Sequence, residues 1–209
     1  MAVLRQRAES VDSPLTVPKN EDLQVLDVSL DGTEFCYKND KVRTKMCGKH
    51  QAVNAAAAIE ALRLLGVSEE NIRSALETAA VPARMERMAG WVIDGAHNVS
   101  GARAAAELVG VQNGKKLLLT GMLKSKDWQG ALELLAPLFD DIIAVDFYAP
   151  DAGPAEKTAE IAEKYGKRCI NAESPQQAVK LAESINADLK LVCGSLYLCG
   201  KMRQILNTK

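Results

Sequence analysis

A chain of 209 residues with 47% apolar and 25% charged side chains has the composition of a folded globular protein and excludes disorder. Its 26 basic and 27 acidic side chains nearly cancel, so it has no basic field to attract nucleic acid or anionic lipid without specificity. Residues 1–7 lack the continuous apolar stretch expected of a secretion signal, no apolar run nears the ~20 residues of a membrane span, and the odd set of cysteines (Cys36, Cys47, Cys169, Cys193, Cys199) shows no C-x-x-C spacing. A cytoplasmic protein with reduced core thiols is expected, without nucleic-acid or membrane partners and without a transition-metal site, since the two histidines join no ligand cluster.

In chain order, residues 3–11 open with a short helix. Residues 23–30 follow as a strand with apolar positions 23, 25, 26, 28 and 30, then a turn at Asp31-Gly32, a strand at 34–37, a turn at Asn39-Asp40 and a strand at 41–46. This antiparallel meander is too small to stand alone and must pack on something else. A helix over 49–65 carries the alanine run 55–58, with Ile59, Leu62 and Leu65 on one side and Gly66 as its C-cap. Ser68 is the N-cap candidate of a second helix, 69–79. A domain boundary is expected in residues 81–90.

Beyond it, β-rich runs at 91–94, 116–120, 142–147, 168–171 and 189–193 alternate with helical stretches at 100–109, 127–139, 155–165, 175–186 and 197–206. That alternation predicts an α/β fold, a Rossmann-like, mostly parallel sheet wrapped by helices. It is preceded by a region of small antiparallel strands plus helices, which the resemblance described below implies is the tail of a second α/β domain. Ligands of such sheets sit beyond the carboxyl ends of the strands, which here carry Asp94-Gly95-Ala96-His97-Asn98, Thr120-Gly121, Asp146, Asn171 and Gly194-Ser195.

A Walker loop, G-x-x-x-x-G-K-[ST], is not matched. Gly110…Gly114-Lys115 is one residue short and Gly194…Gly200-Lys201 one too long, and no G-x-G-x-x-G occurs. The loop 94–98 links a strand to a helix, whose first amides face it. Asp94 can accept from the two hydroxyls of a ribose, and His97 and Asn98 can donate to an anion. Equally, Asp94 can cap the turn and His97 satisfy a nearby carbonyl. Asn54 presents an amide that suits an adenine edge, though an Asn near a helix start is commonly structural. The Arg84 fork suits phosphate, with an ion pair to Glu86 as its bland alternative. Ser195 and Tyr197 can hold a carboxylate, or serve as a helix cap and a packed ring. Lys124-Ser125-Lys126 has the look of a solvated loop, with Asp127 capping the next helix.

The order of these pieces carries more than any one of them. Gly48-Lys49-His50-Gln51…Asn54-Ala55, Pro82-x-Arg84-x-Glu86, Asp94-Gly95-Ala96-His97-Asn98, Lys126-Asp127 and Gly194-Ser195-Leu196-Tyr197-Leu198 together resemble the second half of the folylpolyglutamate synthase/dihydrofolate synthase family, a branch of the Mur ligase superfamily. The resemblance implies that residues 1–83 are the C-terminal part of an ATPase domain and 84–209 a complete C-terminal domain. It further implies adenine contact by Asn54, phosphate contact by Arg84, ribose contact by Asp94, and a catalytic His97 near the reacting phosphoryl group and the incoming glutamate. Ser195 and Tyr197 are implied to help hold that glutamate.

The implied cofactors are ATP and Mg2+, with the P-loop and the magnesium ligands in a preceding half. The substrates would be L-glutamate and a folate or pteroate, the chain a monomer, and this half alone inactive. A noncatalytic binding module and a Mur-type ligase for another substrate are the alternatives. Three positions depart from the family pattern: Ala83 replaces a glycine, Val99 a proline, and Ser125 an aspartate.

Overall fold

The computed structural model describes residues 2–208; Met1 and Lys209, which end the two expected domains, lie outside the described residues. The chain divides into two compact units, residues 2–45 with 49–79, and residues 46–48 with 80–208.

The first unit contains α1 (Ala2–Ser10), β1 (Leu23–Ser29), β2 (Gly32–Tyr37), β3 (Asp40–Thr44), α2 (Lys49–Leu64) and α3 (Glu69–Thr78). Its strands form an antiparallel sheet in the order β1-β2-β3. The adjacent apolar residues Val25 and Leu26 interrupt the alternation of β1, and the register shifts there. Val25 faces Phe35 and Asp27 faces Glu34, so Leu26 is the extra residue of a bulge and is exposed. The second hairpin turns on Lys38 and Asn39, both with positive φ, rather than on Asn39-Asp40. Two left-handed residues match the twist of a two-residue hairpin, and Asp40 is thereby released to open β3.

The meander does pack on something: Phe35, Tyr37 and Val42 are buried against Ala52, Ala55, Ala56 and Ile59 of α2 and Ile72 and Leu76 of α3. The alanine run lets α2 lie close on the sheet. Leu65, expected beside Ile59, falls past the end of α2 and is exposed, because the chain turns at Gly66 (φ 74°). Ser68 caps α3 by accepting from the Asn71 N–H. α1 buries no residue.

The second unit contains β4 (Glu86–Met88), β5 (Trp91–Ile93), α4 (Val99–Gly110), β6 (Lys116–Thr120), α5 (Trp128–Leu135), β7 (Asp141–Val145), α6 (Ala155–Lys164), β8 (Arg168–Ala172), α7 (Pro175–Glu183), β9 (Leu189–Cys193) and α8 (Leu196–Leu206). The sheet order is β4-β5-β9-β6-β7-β8. Every pairing is parallel except the antiparallel one between β4 and β5. The fold is thus mixed α/β, with a mostly parallel sheet, as the alternation predicts. β4 is an addition, too short to leave a sequence pattern. β6, β7 and β9 are almost wholly apolar because both of their faces are covered. Ile93, Leu117, Leu119, Ile143, Val145 and Val192 pack with Ala178, Val179 and Ala182 of α7 and Leu198, Cys199 and Met202 of α8. Helix α5 packs between α4 and α6 in contact with both. Cys47, Cys193 and Cys199 are buried, whereas Cys36 and Cys169 are only half-buried. Among the described residues no helix is long and apolar enough to cross a membrane.

Candidate functional site

The carboxyl ends of β5, β9 and β6 converge in the second unit, and three segments are tied together there. One is the turn 82–85, which carries Arg84. Another is the loop 94–98 after β5. The last is the start of α8 after β9. The Gly95 N–H donates to the Ala83 carbonyl (2.7 Å) and the Gly194 N–H to the Ala96 carbonyl (2.7 Å). The Cys199 thiol donates to the Asp94 carbonyl at 3.2 Å. Burial, with the Asp94 charge nearby, pushes the Cys199 thiol up to about 12. It stays a neutral donor across ordinary pH, a fastener between α8 and the loop rather than a nucleophile.

Asp94 joins two of the segments with one side chain. Its Oδ2 accepts the Met85 N–H (2.9 Å) and its Oδ1 the Ala96 N–H (2.8 Å). A carboxylate offers about four lone-pair positions, so it can brace the turn and still accept from a ligand on its accessible side. His97 does satisfy a carbonyl: its Nδ1 lies 2.7 Å from the Gly95 oxygen. The carbonyl can only accept, so Nδ1 carries the hydrogen and, in the neutral ring, Nε2 keeps the free lone pair. Asn98 is exposed and caps α4, its Oδ1 accepting from the Gly101 N–H at 2.8 Å. Val99 occupies the first helical position of α4, where a proline would also fit.

Arg84 is placed with unusual care for an exposed side chain. Its neighbours Ala83 (φ 55°) and Met85 (φ 50°) both sit in the left-handed region. An L side chain is strained there and glycine is not, which accounts for the glycine that the resemblance places at 83. The turn is pinned through the Ala83 N–H to Glu86 Oε2 (2.9 Å), the Ala83 carbonyl to Gly95 and the Met85 N–H to Asp94. The guanidinium lies over Gly95: a Cβ on that glycine would come within 3.1 Å of Nη1 and collide with Leu196. The ion pair with Glu86 does not form. Glu86 is held by Arg203 Nε at 2.8 and 3.1 Å, and no hydrogen bond or ion pair engages the Arg84 side chain among the described residues.

Ser195 is fully buried and caps α8, its Oγ accepting from the Tyr197 N–H (3.2 Å), while the Tyr197 side chain is exposed rather than packed. Gly194 has φ 115°, and a Cβ there would press on Thr120 Oγ1 and the Gly121 carbonyl. Thr120 Oγ1 is the one buried side-chain polar atom without a partner among the described residues. Asp146 is spent on the Ala155 N–H at the start of α6, and Asn171 lies within β8.

Asp127 caps α5 as expected, and Lys124, Ser125 and Lys126 are exposed. The carboxylate that Ser125 lacks is present from the facing loop, where Asp151 accepts the Ser125 N–H at 2.7 Å and is held below the usual carboxylate range by the Ser125 hydroxyl.

Of the sequence-nominated residues, Arg84, Asp94, His97, Ser195 and Tyr197 fall in this one cluster of segments. Asn54 belongs to the first unit, exposed on α2, with its Nδ2 donating to Gln51 Oε1 at 3.0 Å. Arg203 and Cys199 belong to no motif that would nominate them. Arg203 meets Glu86 across 117 positions of sequence, and only folding reveals it. Among the described residues no group of His, Cys, Asp or Glu is arranged to hold a metal ion.

The chain is similar to known proteins over most of its length. Residues 83–196 match the family described as Mur ligase, glutamate ligase domain. The dihydrofolate synthase/folylpolyglutamate synthase of Bacillus subtilis is 31% identical over 186 residues, 83% of this chain and 42% of that protein. The crystal structure of folylpolyglutamate synthase from Thermotoga maritima superimposes with a TM-score of 0.81 at 26% identity, over 99% of this chain and 51% of that one. E. coli FolC in complex with ADP gives 0.78 at 25%, over 98% and 50%. The chain therefore spans about half the length of the relatives it matches. It belongs to the Mur ligase family, of which it carries the glutamate ligase domain, and within that family it is similar to the folylpolyglutamate and dihydrofolate synthases.

Proposed function

We propose that this chain is the C-terminal portion of an ATP-dependent amide ligase that adds L-glutamate to a folate or dihydropteroate, releasing ADP and phosphate. Residues 1–83 are then the C-terminal part of the ATPase domain and 84–209 the C-terminal Mur-ligase-type domain. The observation that carries the reading is Arg84: an exposed guanidinium without a partner among the described residues, on a turn whose backbone is fastened from three directions. Such a group is pre-organised for a phosphate, which it can meet with two parallel hydrogen bonds. The similarity to a ligase solved with ADP supports the same assignment.

In this reading a carboxylate of the pterin substrate attacks the γ-phosphorus of ATP and ADP leaves. The amine of glutamate then attacks the acyl carbon, the C–N bond forms, the C–O bond to phosphate breaks, and the amine's proton passes to a base. His97 is suited to that last step because the Gly95 carbonyl fixes Nε2 as the free lone pair. Arg84 offsets charge on the phosphates, Asp94 accepts from the ribose while bracing the Arg84 turn, and Asn54 meets the adenine. Tyr197 contacts glutamate directly. Ser195, being buried, contributes through the cap it places on α8. Magnesium would be held by the preceding half of the protein.

The test is complementation. The chain alone, given ATP, Mg2+, glutamate and a folate, is expected to release no ADP. Mixed with a separately expressed P-loop half of a related synthase, it is expected to recover glutamate-dependent ADP release. Turnover by the chain alone would overturn the division of labour. Silence in the mixture, with both halves folded, would favour a noncatalytic binding module.

A further inference from the structure

Arg84 and Glu86 are two residues apart on one turn, of opposite charge, and yet unpaired. The Glu86 carboxylate is already beside the Arg84 turn, accepting the Ala83 N–H at 2.9 Å. Both charges also act on the same buried thiol, Cys199, in opposite directions. Glu86 is engaged by Arg203 on α8, whose Nε contacts both carboxylate oxygens at 2.8 and 3.1 Å. The Glu86 side chain is 20% exposed and that of Arg203 36%, so the pair is half-withdrawn from water and less screened than a surface pair.

We infer that Arg203 is a positioning residue that holds Glu86 away from Arg84 and so keeps the Arg84 guanidinium available for an anionic ligand. This rests on the reading of Arg84 as a phosphate contact. Arg203 touches no ligand. It occupies the internal anion that would otherwise compete with the external one, and a competing carboxylate at an anion site lowers affinity by the strength of the pair it forms. Glu86 meanwhile keeps its second duty on the Ala83 N–H, so one carboxylate sets the turn while its charge is neutralised from α8.

The experiment uses the full 209-residue chain with two readouts at low ionic strength: the rate at which phenylglyoxal modifies each arginine, followed by peptide mass spectrometry, and ADP affinity by calorimetry. In the unmodified sequence Arg84 is expected to react at least about twice as fast as the paired Arg203. Arg203→Met should slow the reaction of Arg84 and weaken ADP binding, each by about two- to fivefold, the range of an exposed ion pair. Adding Glu86→Gln to Arg203→Met should restore both, since glutamine can still accept the Ala83 N–H but does not attract a guanidinium.

Equal or reversed rates at Arg84 and Arg203 in the unmodified chain overturn the inference without any variant. So does an Arg203→Met chain of native melting temperature in which Arg84 reacts unchanged, or a double variant that is not restored. If Arg84 reactivity follows the prediction while Arg84→Ala leaves ADP affinity as it was, the control of Arg84 by Arg203 stands and its reading as a phosphate contact fails.

Discussion

Two clusters of charge in this molecule are built on opposite plans. In the first unit, Lys38 and Arg63 meet Glu60, Arg63 also meets Glu69 and Asp40, and Arg73 meets Asp40. Tyr37 adds its hydroxyl to Glu60. Every charge in that network has an opposite neighbour, and it covers the core of α2, α3 and the meander. In the second unit, Glu86 and Arg203 satisfy each other while Arg84, on the same turn, has no partner among the described residues. A saturated network contributes to the fold and offers nothing to a ligand; a fastened backbone bearing an unpaired cation does the reverse. The contrast separates paired arginines from unpaired ones more sharply than exposure alone, because Arg73 and Arg84 are both exposed.

The comparison can be broken in graded ways. The largest effect is expected where the strand-end cluster depends on a missing side chain. Gly194→Ala forces a Cβ toward Thr120 Oγ1 and the Gly121 carbonyl at a left-handed φ. It should cost about 3 kcal/mol of stability, measured by urea unfolding with tryptophan fluorescence, since Trp91 and Trp128 both report on the second unit. Next, Arg84→Ala should weaken ADP binding by about ten- to a hundredfold, the worth of charge-assisted hydrogen bonds to phosphate. Its melting temperature should stay within about a degree of the parent's, because surface substitutions without partners change stability little. Arg73→Ala, the matched control in the saturated network, should leave ADP binding unchanged.

Smaller effects sharpen the picture. Ser195→Ala removes the cap of α8 and should lower stability by about 1 kcal/mol in the same urea experiment. Thr120→Val removes a buried hydroxyl that has no partner among the described residues, and should raise stability by about 1 kcal/mol. A loss in its place would show that the hydroxyl is engaged in the fold.

The smallest effect concerns pH in the first unit. Glu60 is held below the usual carboxylate range, chiefly by the hydrogen bond from Lys38, and Glu69 by that from Arg63. The unfolded chain therefore binds more protons than the folded one in that window. Their stabilisation is complete above about pH 4.5 and is lost as pH falls through the lowered folded values. Glu60→Gln should flatten the acid limb of a stability–pH curve and leave the neutral region nearly level.

Much of this was legible before folding. The β-rich runs and their alternation with helices predict the parallel sheet, because strands covered on both faces must be apolar throughout. Ser68, Asp127 and Gly66 announce helix ends by local chemistry that needs no partner far away. Leu65 was misjudged since a helical pattern does not show where the chain stops being a helix. β4 and the Lys38-Asn39 turn were missed for a related reason: three residues, or a lysine at positive φ, leave no periodic trace. At the site, the motif Pro82-x-Arg84-x-Glu86 points to Arg84 but suggests the wrong partner for Glu86.

What the chain's order of residues determined, then, is what neighbours can settle: the caps, the apolar strands, and the loop at Asp94–Asn98 set between a strand and a helix. What only tertiary structure decided is how charge is apportioned among groups remote in sequence. Arg203 reaches Glu86 because β9 lies beside β5 and brings α8 back over the turn. Coulomb attraction acts through space over a few ångströms, so the choice between a structural and an available arginine belongs to the fold.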